Sequence, residues 1–264
     1  MDLKLSKKTF IVTGGAKGIG EAISRELAQE GANVVVAGRS KAEGDALVKW
    51  IEGIGSKGLS IHVELSEDGA CERVIKESVD KFGGIDGIVN NAGFNDGAGL
   101  EKGSPEKFRA SINTNLMHYY DMVYYALPYL KKTQGSIVNI SSKTCVTGQG
   151  GTSGYAASKG AQIALTREWA VELAPYNIRV NAILPAEVMT PLYEKWIKTF
   201  DNPEQKLEEI SARIPLGKRM TTSEEIAAMT VFLLSDRSAH TTGQWMFVDG
   251  GYVHLDRSIS TLVG

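Results

Sequence analysis

The sequence predicts a doubly wound α/β fold, a single parallel sheet with helices on both faces. Short Val- and Ile-rich runs alternate with amphipathic stretches along the chain, and that alternation places parallel strands between helical crossovers. A glycine-dense turn, Thr13-Gly-Gly-Ala-Lys-Gly-Ile-Gly20, separates the first apolar run from the first amphipathic stretch. The 264 residues contain no repeat, low-complexity tract or Pro/Ser-rich linker. One domain over residues 1–264 is therefore expected.

Strands are predicted at 9–13 (TFIVT), 33–37 (NVVVA), 59–63 (LSIHV), 85–89 (IDGIV), 136–140 (SIVNI), 178–183 (IRVNAI) and 245–248. Each is short, rich in β-branched residues and bounded by Gly, Asn or Asp. Helical spacing of apolar residues marks 21–30, 41–51, 68–82, 105–130, 153–174 and 223–234. The least patterned stretch, 186–215, carries Tyr193, Trp196 and Phe200 among charges and the prolines 191, 203 and 215. Long excursions from an open α/β sheet commonly cover a ligand, so this segment is expected to be either a lid or a helical hairpin that packs a subunit contact.

Composition narrows the function. A net charge of −2 and a pI near 6.1 give no standing attraction for nucleic acid or an anionic membrane. Two cysteines, Cys71 and Cys145, make neither a disulfide framework nor a structural zinc site. The four histidines show no metal-ligand spacing; His118, one turn after Asn115, could face the site, and a core or interface residue is the first expectation. No signal-peptide-like or membrane-length apolar run occurs. A soluble, cytoplasmic protein with a small-molecule substrate and no bound metal is the expectation.

The glycine turn gives the first chemistry. Gly14, Gly18 and Gly20 allow a tight turn and close approach to a pyrophosphate, while the following helix offers free N–H groups beside Lys17 and Ile19. In this Rossmann-type arrangement an acid after the second strand would hold a ribose 2′-hydroxyl. The sequence there reads Val36-Ala-Gly-Arg-Ser40. Without an acid, and with Arg39 and Lys17 in reach, NADP(H) is favoured and NAD(H) left open.

Of the nine tyrosines only Tyr155 is followed four residues later by a lysine, Lys159. On a helix that spacing puts both heads on one face. Upstream, a strand ends in Ser141 and Ser142, at the sheet edge where open α/β folds bind ligands.

With these residues in view, the chain resembles the short-chain dehydrogenase/reductase family from about Leu5 to His254. The motifs are the loop 13–20, Asn90-Asn-Ala-Gly93, Asn115, the Ser142 strand end, Tyr155-x-x-x-Lys159, 185–190 and Val248-Asp-Gly-Gly251. The resemblance implies that Tyr155 is the general acid/base, that Lys159 favours its tyrosinate and holds the nicotinamide ribose, and that Ser142 holds the substrate oxygen. It implies that Asn115 binds a proton-relaying water, whereas by itself Asn115 would read as a helix-kink or capping residue. Asn90, Ala92 and Gly93 would lie beside the adenosine ribose and pyrophosphate, Glu64 and Leu65 beside adenine, and Pro185, Val188 and Thr190 beside the nicotinamide. Two positions depart from the pattern: Ala186 replaces the usual Gly, and Glu64 the usual Asp.

On the substrate side, Asn95, Asp96, Lys143, Gln149 and Glu187 are expected either to converge on a small polyhydroxylated molecule or, for several of them, simply to point to water. The segments 148–155, 186–196, 198–203 and 251–256 resemble the bacterial L-fucose dehydrogenase-like, sugar-oxidising branch of the family. Oxidation of an aldose to its lactone is the implied reaction. A 3-oxoacyl or other carbonyl reductase is the alternative, and a catalytically silent nucleotide-binding regulator a third. Small residues at 156–158, 160 and 161, with the tyrosines 119, 120, 124, 125 and 129, suggest a homotetramer, the usual assembly of the family.

Overall fold

The computed structural model describes residues 2–255. The chain runs β1 (Thr9–Thr13), α1 (Gly18–Gln29), β2 (Asn33–Gly38), α2 (Lys41–Gly53), β3 (Lys57–His62), α3 (Ala70–Phe82) and β4 (Gly87–Asn90). It continues through α4 (Pro105–Ile112), α5 (His118–Thr133), β5 (Ser136–Ile140), α6 (Thr144–Thr147), α7 (Ser153–Leu173) and β6 (Arg179–Pro185). It closes with α8 (Pro191–Ile197), α9 (Pro203–Ser211), α10 (Ser223–Leu234) and β7 (Trp245–Val248). Seven strands form one parallel sheet in the order β3-β2-β1-β4-β5-β6-β7. Strand order reverses between β1 and β4, which opens a crevice at their carboxyl ends.

Both faces of the sheet are covered, which explains why its strands read as continuous apolar runs. Phe10 and Val12 of β1 face α1 and α10, in one core with Ile23, Leu27, Val34, Val36 and Val231. Ile11, one residue out of phase, faces the other core with Val35, Ile88, Ile137, Met122 and Trp169.

One element differs from the sequence expectation, and another takes the second of its two expected forms. The helix predicted over 105–130 is divided by a π-helical turn, Asn113–Met117; such turns widen the ladder by one residue and leave a carbonyl open to other donors. That of Asn115 accepts Gln162 Nε2 at 2.7 Å. The 186–215 stretch is helical, because its prolines start helices. Pro191 and Pro203 take the first-turn positions of α8 and α9, where a missing N–H costs nothing. Thr190 and Asn202 cap those helices by accepting from Tyr193 N and Gln205 N at 3.2 Å.

The tyrosines of α5 do not form one outer face. Tyr119 is fully buried; Tyr120 and Tyr124 stay exposed, with ring centroids 6.0 Å apart. Ser158 also turns inward. No helix among the described residues is long and apolar enough to cross a membrane.

Candidate active site

A cavity of about 740 Å³ occupies the crevice at the switch point. Its floor is the glycine turn. Gly14 has φ +62°, and a Cβ on Gly20 would lie 2.2 Å from the Gly14 carbonyl oxygen, so the turn closes only with glycine at both positions. Thr13 ties it to the end of β4: its Oγ1 accepts from Asn91 N at 2.9 Å and Ala92 N at 3.1 Å. At the start of α1 the flanking Lys17 makes no side-chain cap, so the first-turn amides are free to meet an anion. A dinucleotide pyrophosphate fits this cradle.

The expected cofactor residues divide cleanly. Gly14, Lys17, Gly18, Ile19, Gly20, Arg39, Glu64, Leu65, Ala92, Gly93, Pro185, Val188 and Thr190 all line the cavity. Asn90 does not. Its side chain is fully buried and donates to Asn139 Oδ1 at 3.0 Å. The alternation of β4 turns it into the sheet, and Asn91 lines the cavity in its place.

The positive groups expected for a 2′-phosphate already have acidic partners. Arg39 Nη1 lies 3.4 Å from Glu64 Oε2, and its guanidinium 5.6 Å over the Phe94 ring. Lys17 Nζ pairs with Glu43 at 2.6 Å. Glu64 also accepts from the Ser66 hydroxyl at 2.9 Å; although burial works the other way, its bonds with Ser66 and the Arg39 charge hold its carboxyl below the usual range.

At the other end Ser142, Tyr155 and Lys159 line the same cavity. Burial pushes the Tyr155 hydroxyl up to about 12, opposed by hydrogen bonding with Ser142. Lys159 is 3% exposed. Its Nζ donates to the Ile140 carbonyl at 2.7 Å and lies 3.4 Å from Tyr119 Oη. Burial brings the ammonium down to about 7. The pair can give up or take a proton at a substrate oxygen.

Asn115 stands where its alternative reading put it, at the interruption of its helix. It lies in the π-helical turn, fully buried, off the cavity wall. Its Oδ1 accepts from Phe94 N at 2.8 Å and its Nδ2 donates to the Ser111 carbonyl at 3.0 Å. With its own carbonyl taking Gln162, Asn115 anchors the loop after β4.

The expected substrate cluster does not converge. Only Asn95 of the five lines the cavity. Asp96 and Gln149 are exposed. Asp96 caps its own turn by accepting from Ala98 N at 3.1 Å. Lys143 and Glu187 satisfy each other in a direct ion pair, with side chains 10% and 13% exposed. Glu187 also accepts from the Tyr193 hydroxyl at 2.8 Å, and the Lys143 ammonium sits 4.0 Å over the Tyr252 ring. These contacts fasten α8 over the site. Of the residues of α8 that face the cavity, Tyr193 was named in the sequence as part of the 186–215 stretch, while Leu192 and Lys195 were not singled out; the helix-capping Thr190 and the i, i+3 spacing of Leu192 and Lys195 were the available signal. Tyr193, Trp196 and Phe200 continue as an edge-to-face ladder at 5.0 Å spacings.

Among the described residues no group of His, Cys, Asp and Glu could hold a metal ion. Sheet, phosphate cradle and Tyr/Lys pair together define a dinucleotide-binding oxidoreductase. A family model described as enoyl-(acyl carrier protein) reductase matches residues 14–253, and with the relatives below it shows that the chain belongs to the short-chain dehydrogenase/reductase family. It is 40% identical to the 3-oxoacyl-(acyl-carrier-protein) reductase of Thermotoga maritima, over 95% of this chain and 100% of that one. It is 36% identical to the L-fucose dehydrogenase of Rattus norvegicus, over 94% and 90%. The crystal structure of Cj0485 dehydrogenase superposes with a TM-score of 0.93, at 50% identity and 98% coverage of both chains.

Proposed function

We propose that the protein is an NAD(P)-dependent dehydrogenase that oxidises a small polyhydroxylated alcohol, an aldose such as L-fucose, to its lactone. The observation that carries this reading is that the polar side chains of Ser142, Asn95 and Lys195 share the cavity lining with Tyr155. Such groups match hydroxyls better than an alkyl chain. Its likeness to the rat L-fucose dehydrogenase supports the same reading. The nicotinamide cofactor, when bound, supplies the hydride acceptor. Tyr155 takes the alcohol proton, Ser142 holds the alcohol oxygen, and Lys159 favours the tyrosinate by its charge. The exposed Tyr120, Tyr124 and Ala157 leave an outer face for the homotetramer, which belongs to the same proposal.

A 3-oxoacyl reductase is the second reading. It is favoured by the Thermotoga maritima relative and by Leu192, which lines the cavity while 57% exposed. Nicotinamide absorbance across aldoses, polyols and oxoacyl thioesters separates the two. Higher kcat/KM for the aldoses is the expected result; higher kcat/KM for the thioesters would reverse the assignment.

NADP is proposed as the preferred cofactor. Gly38 leaves ordinary van der Waals space beside Gly14, and the Arg39 side chain, 64% exposed, is free to leave its long contact with Glu64. A charge-assisted hydrogen bond to a 2′-phosphate contributes about 1.5–3 kcal/mol, roughly ten- to hundred-fold in affinity. Gly38→Asp with Arg39→Ala should turn the kcat/KM ratio toward NAD, and Glu64→Gln should raise the NADP preference. A wild-type ratio that already favours NAD would end this assignment.

A further inference from the structure

Tyr119 stands just after the π-helical turn and is fully buried, while its neighbour Tyr120 is 51% exposed. The extra residue in such a turn rotates the rest of a helix by about 100°, and so decides which of the two tyrosines turns inward. A phenylalanine would fill the same core beside Met122, Ile137 and Trp169. Burying a tyrosine hydroxyl instead costs free energy unless its oxygen is paired. Here it is paired twice, donating to the Ile140 carbonyl at 3.0 Å and accepting from the Lys159 ammonium at 3.4 Å.

The same contacts hold Lys159. Its Nζ donates to the Ile140 carbonyl and to Tyr119 Oη, so two of its three N–H groups meet fixed acceptors on β5 and α5. The third is left for the cavity, which Lys159 lines with Tyr155 and Ser142. An acceptor favours the charged form of an amine, against the burial that has brought this one down to about 7. The ionisable groups around the ammonium are Tyr155 on α7, Tyr119 and His118 on α5, and Cys145 on α6. Burial holds the Tyr119 hydroxyl well above the usual tyrosine range, reinforced by Tyr155 and opposed by hydrogen bonding with Gln162. Burial likewise pushes the Cys145 thiol up and the His118 imidazole down to about 4. Near neutral pH Tyr119 is therefore a constant neutral partner, and only Lys159 and Tyr155 are left to exchange protons.

We propose that Tyr119 is a positioning residue for the dehydrogenase reaction, its hydroxyl holding the Lys159 ammonium beside Tyr155 together with the Ile140 carbonyl. Tyr119 lies off the cavity lining, so it meets neither substrate nor cofactor and acts only through the lysine. Its bond stabilises the ammonium, and the ammonium in turn stabilises the tyrosinate. This rests on the reading of the protein as a dehydrogenase that uses Tyr155 as its base.

The test is Tyr119→Phe, with pH profiles of oxidation and reduction and a melting curve. The change deletes the hydroxyl and leaves its neighbours with partners: the Ile140 carbonyl keeps Lys159 at 2.7 Å, and the Gln162 amide keeps the Asn115 carbonyl at 2.7 Å. With one acceptor fewer the ammonium is less favoured, so Tyr155 gives up its proton at higher pH. The oxidative kcat profile should move up by about 0.5–1 pH unit, the worth of one hydrogen bond. On the rising limb oxidative kcat should fall about 3- to 10-fold and rejoin wild type at high pH. KM for the alcohol and reductive kcat at neutral pH should be unchanged. Tyr119→Met repeats the measurement with a second apolar side chain. An unmoved profile in a folded variant would overturn the proposal. So would an equal loss at every pH with a lowered melting temperature, or failure of both variants to fold, each the mark of a merely structural tyrosine. If wild type turns over no aldose, polyol or oxoacyl thioester with either dinucleotide, the dehydrogenase reading itself fails, and this one with it.

Discussion

Tyr155→Phe is expected to lower kcat/KM by roughly 10²–10⁴-fold, the usual worth of a positioned acid/base, with fold and dinucleotide affinity preserved. The phenol stands on the cavity wall with Ser142, so its loss removes the proton donor and acceptor at the substrate oxygen. Burial has pushed that hydroxyl up to about 12; in the free protein it is protonated across the physiological range. It can donate at once in the reductive direction, whereas in the oxidative direction it must first lose its proton. The oxidative rate should accordingly rise with pH, and the reductive rate should not. Rates in both directions, with a melting curve and a dinucleotide titration, check the prediction. Near-normal turnover in a folded variant would remove Tyr155 from the mechanism.

Much of this site is legible in sequence because its parts are local. The phosphate cradle lies within one strand-turn-helix unit, and the Tyr155/Lys159 pair is a one-turn spacing on one helix. The strands were readable for a related reason: burial on both faces leaves a continuous apolar run. What sequence missed depends on contacts between distant segments. Lys143 and Glu187 read as free polar groups, and only the fold brings them within an ion pair. Asn115 read as a water ligand by resemblance and as a helix-kink residue by itself, and only the fold shows its side chain bonded to Phe94 and Ser111. Pro191 and Pro203 did not decide between lid and helical hairpin, since the same residue that interrupts a helix also starts one. His118 read first as a core residue and otherwise as one facing the site, and it is both buried and part of the cavity lining. Asp256, part of one resemblance segment, lies outside the described residues.

Lys159→Met should raise stability while removing activity, because the fold holds a cation where it prefers a neutral group. The ammonium lies between the rings of Tyr155 and Tyr119, 5.5 and 5.6 Å from their centroids, and burial has brought it down to about 7. An unfolded lysine titrates near ~10.4. Between these two values the unfolded chain binds more protons than the folded one, so stability rises with pH across that window. The cost of burying the charged form is fully present below about pH 7 and gone above the unfolded value. Methionine fills similar space without the charge, and Ile140 O keeps a donor in the Tyr119 hydroxyl at 3.0 Å. Allowing for relaxation, a gain of about 1–3 kcal/mol is expected at pH 6, which for a chain of this length raises Tm by roughly 3–10 °C. The gain should shrink as pH approaches 10. Oxidative turnover should fall about as far as in Tyr155→Phe, since no charge remains to favour the tyrosinate. Melting curves of both proteins at pH 6 and pH 9 make the comparison. A variant less stable than wild type at pH 6 would mean that the contacts of Lys159 with Ile140 and Tyr119 outweigh its desolvation, and that the lysine supports the fold it is here held to strain.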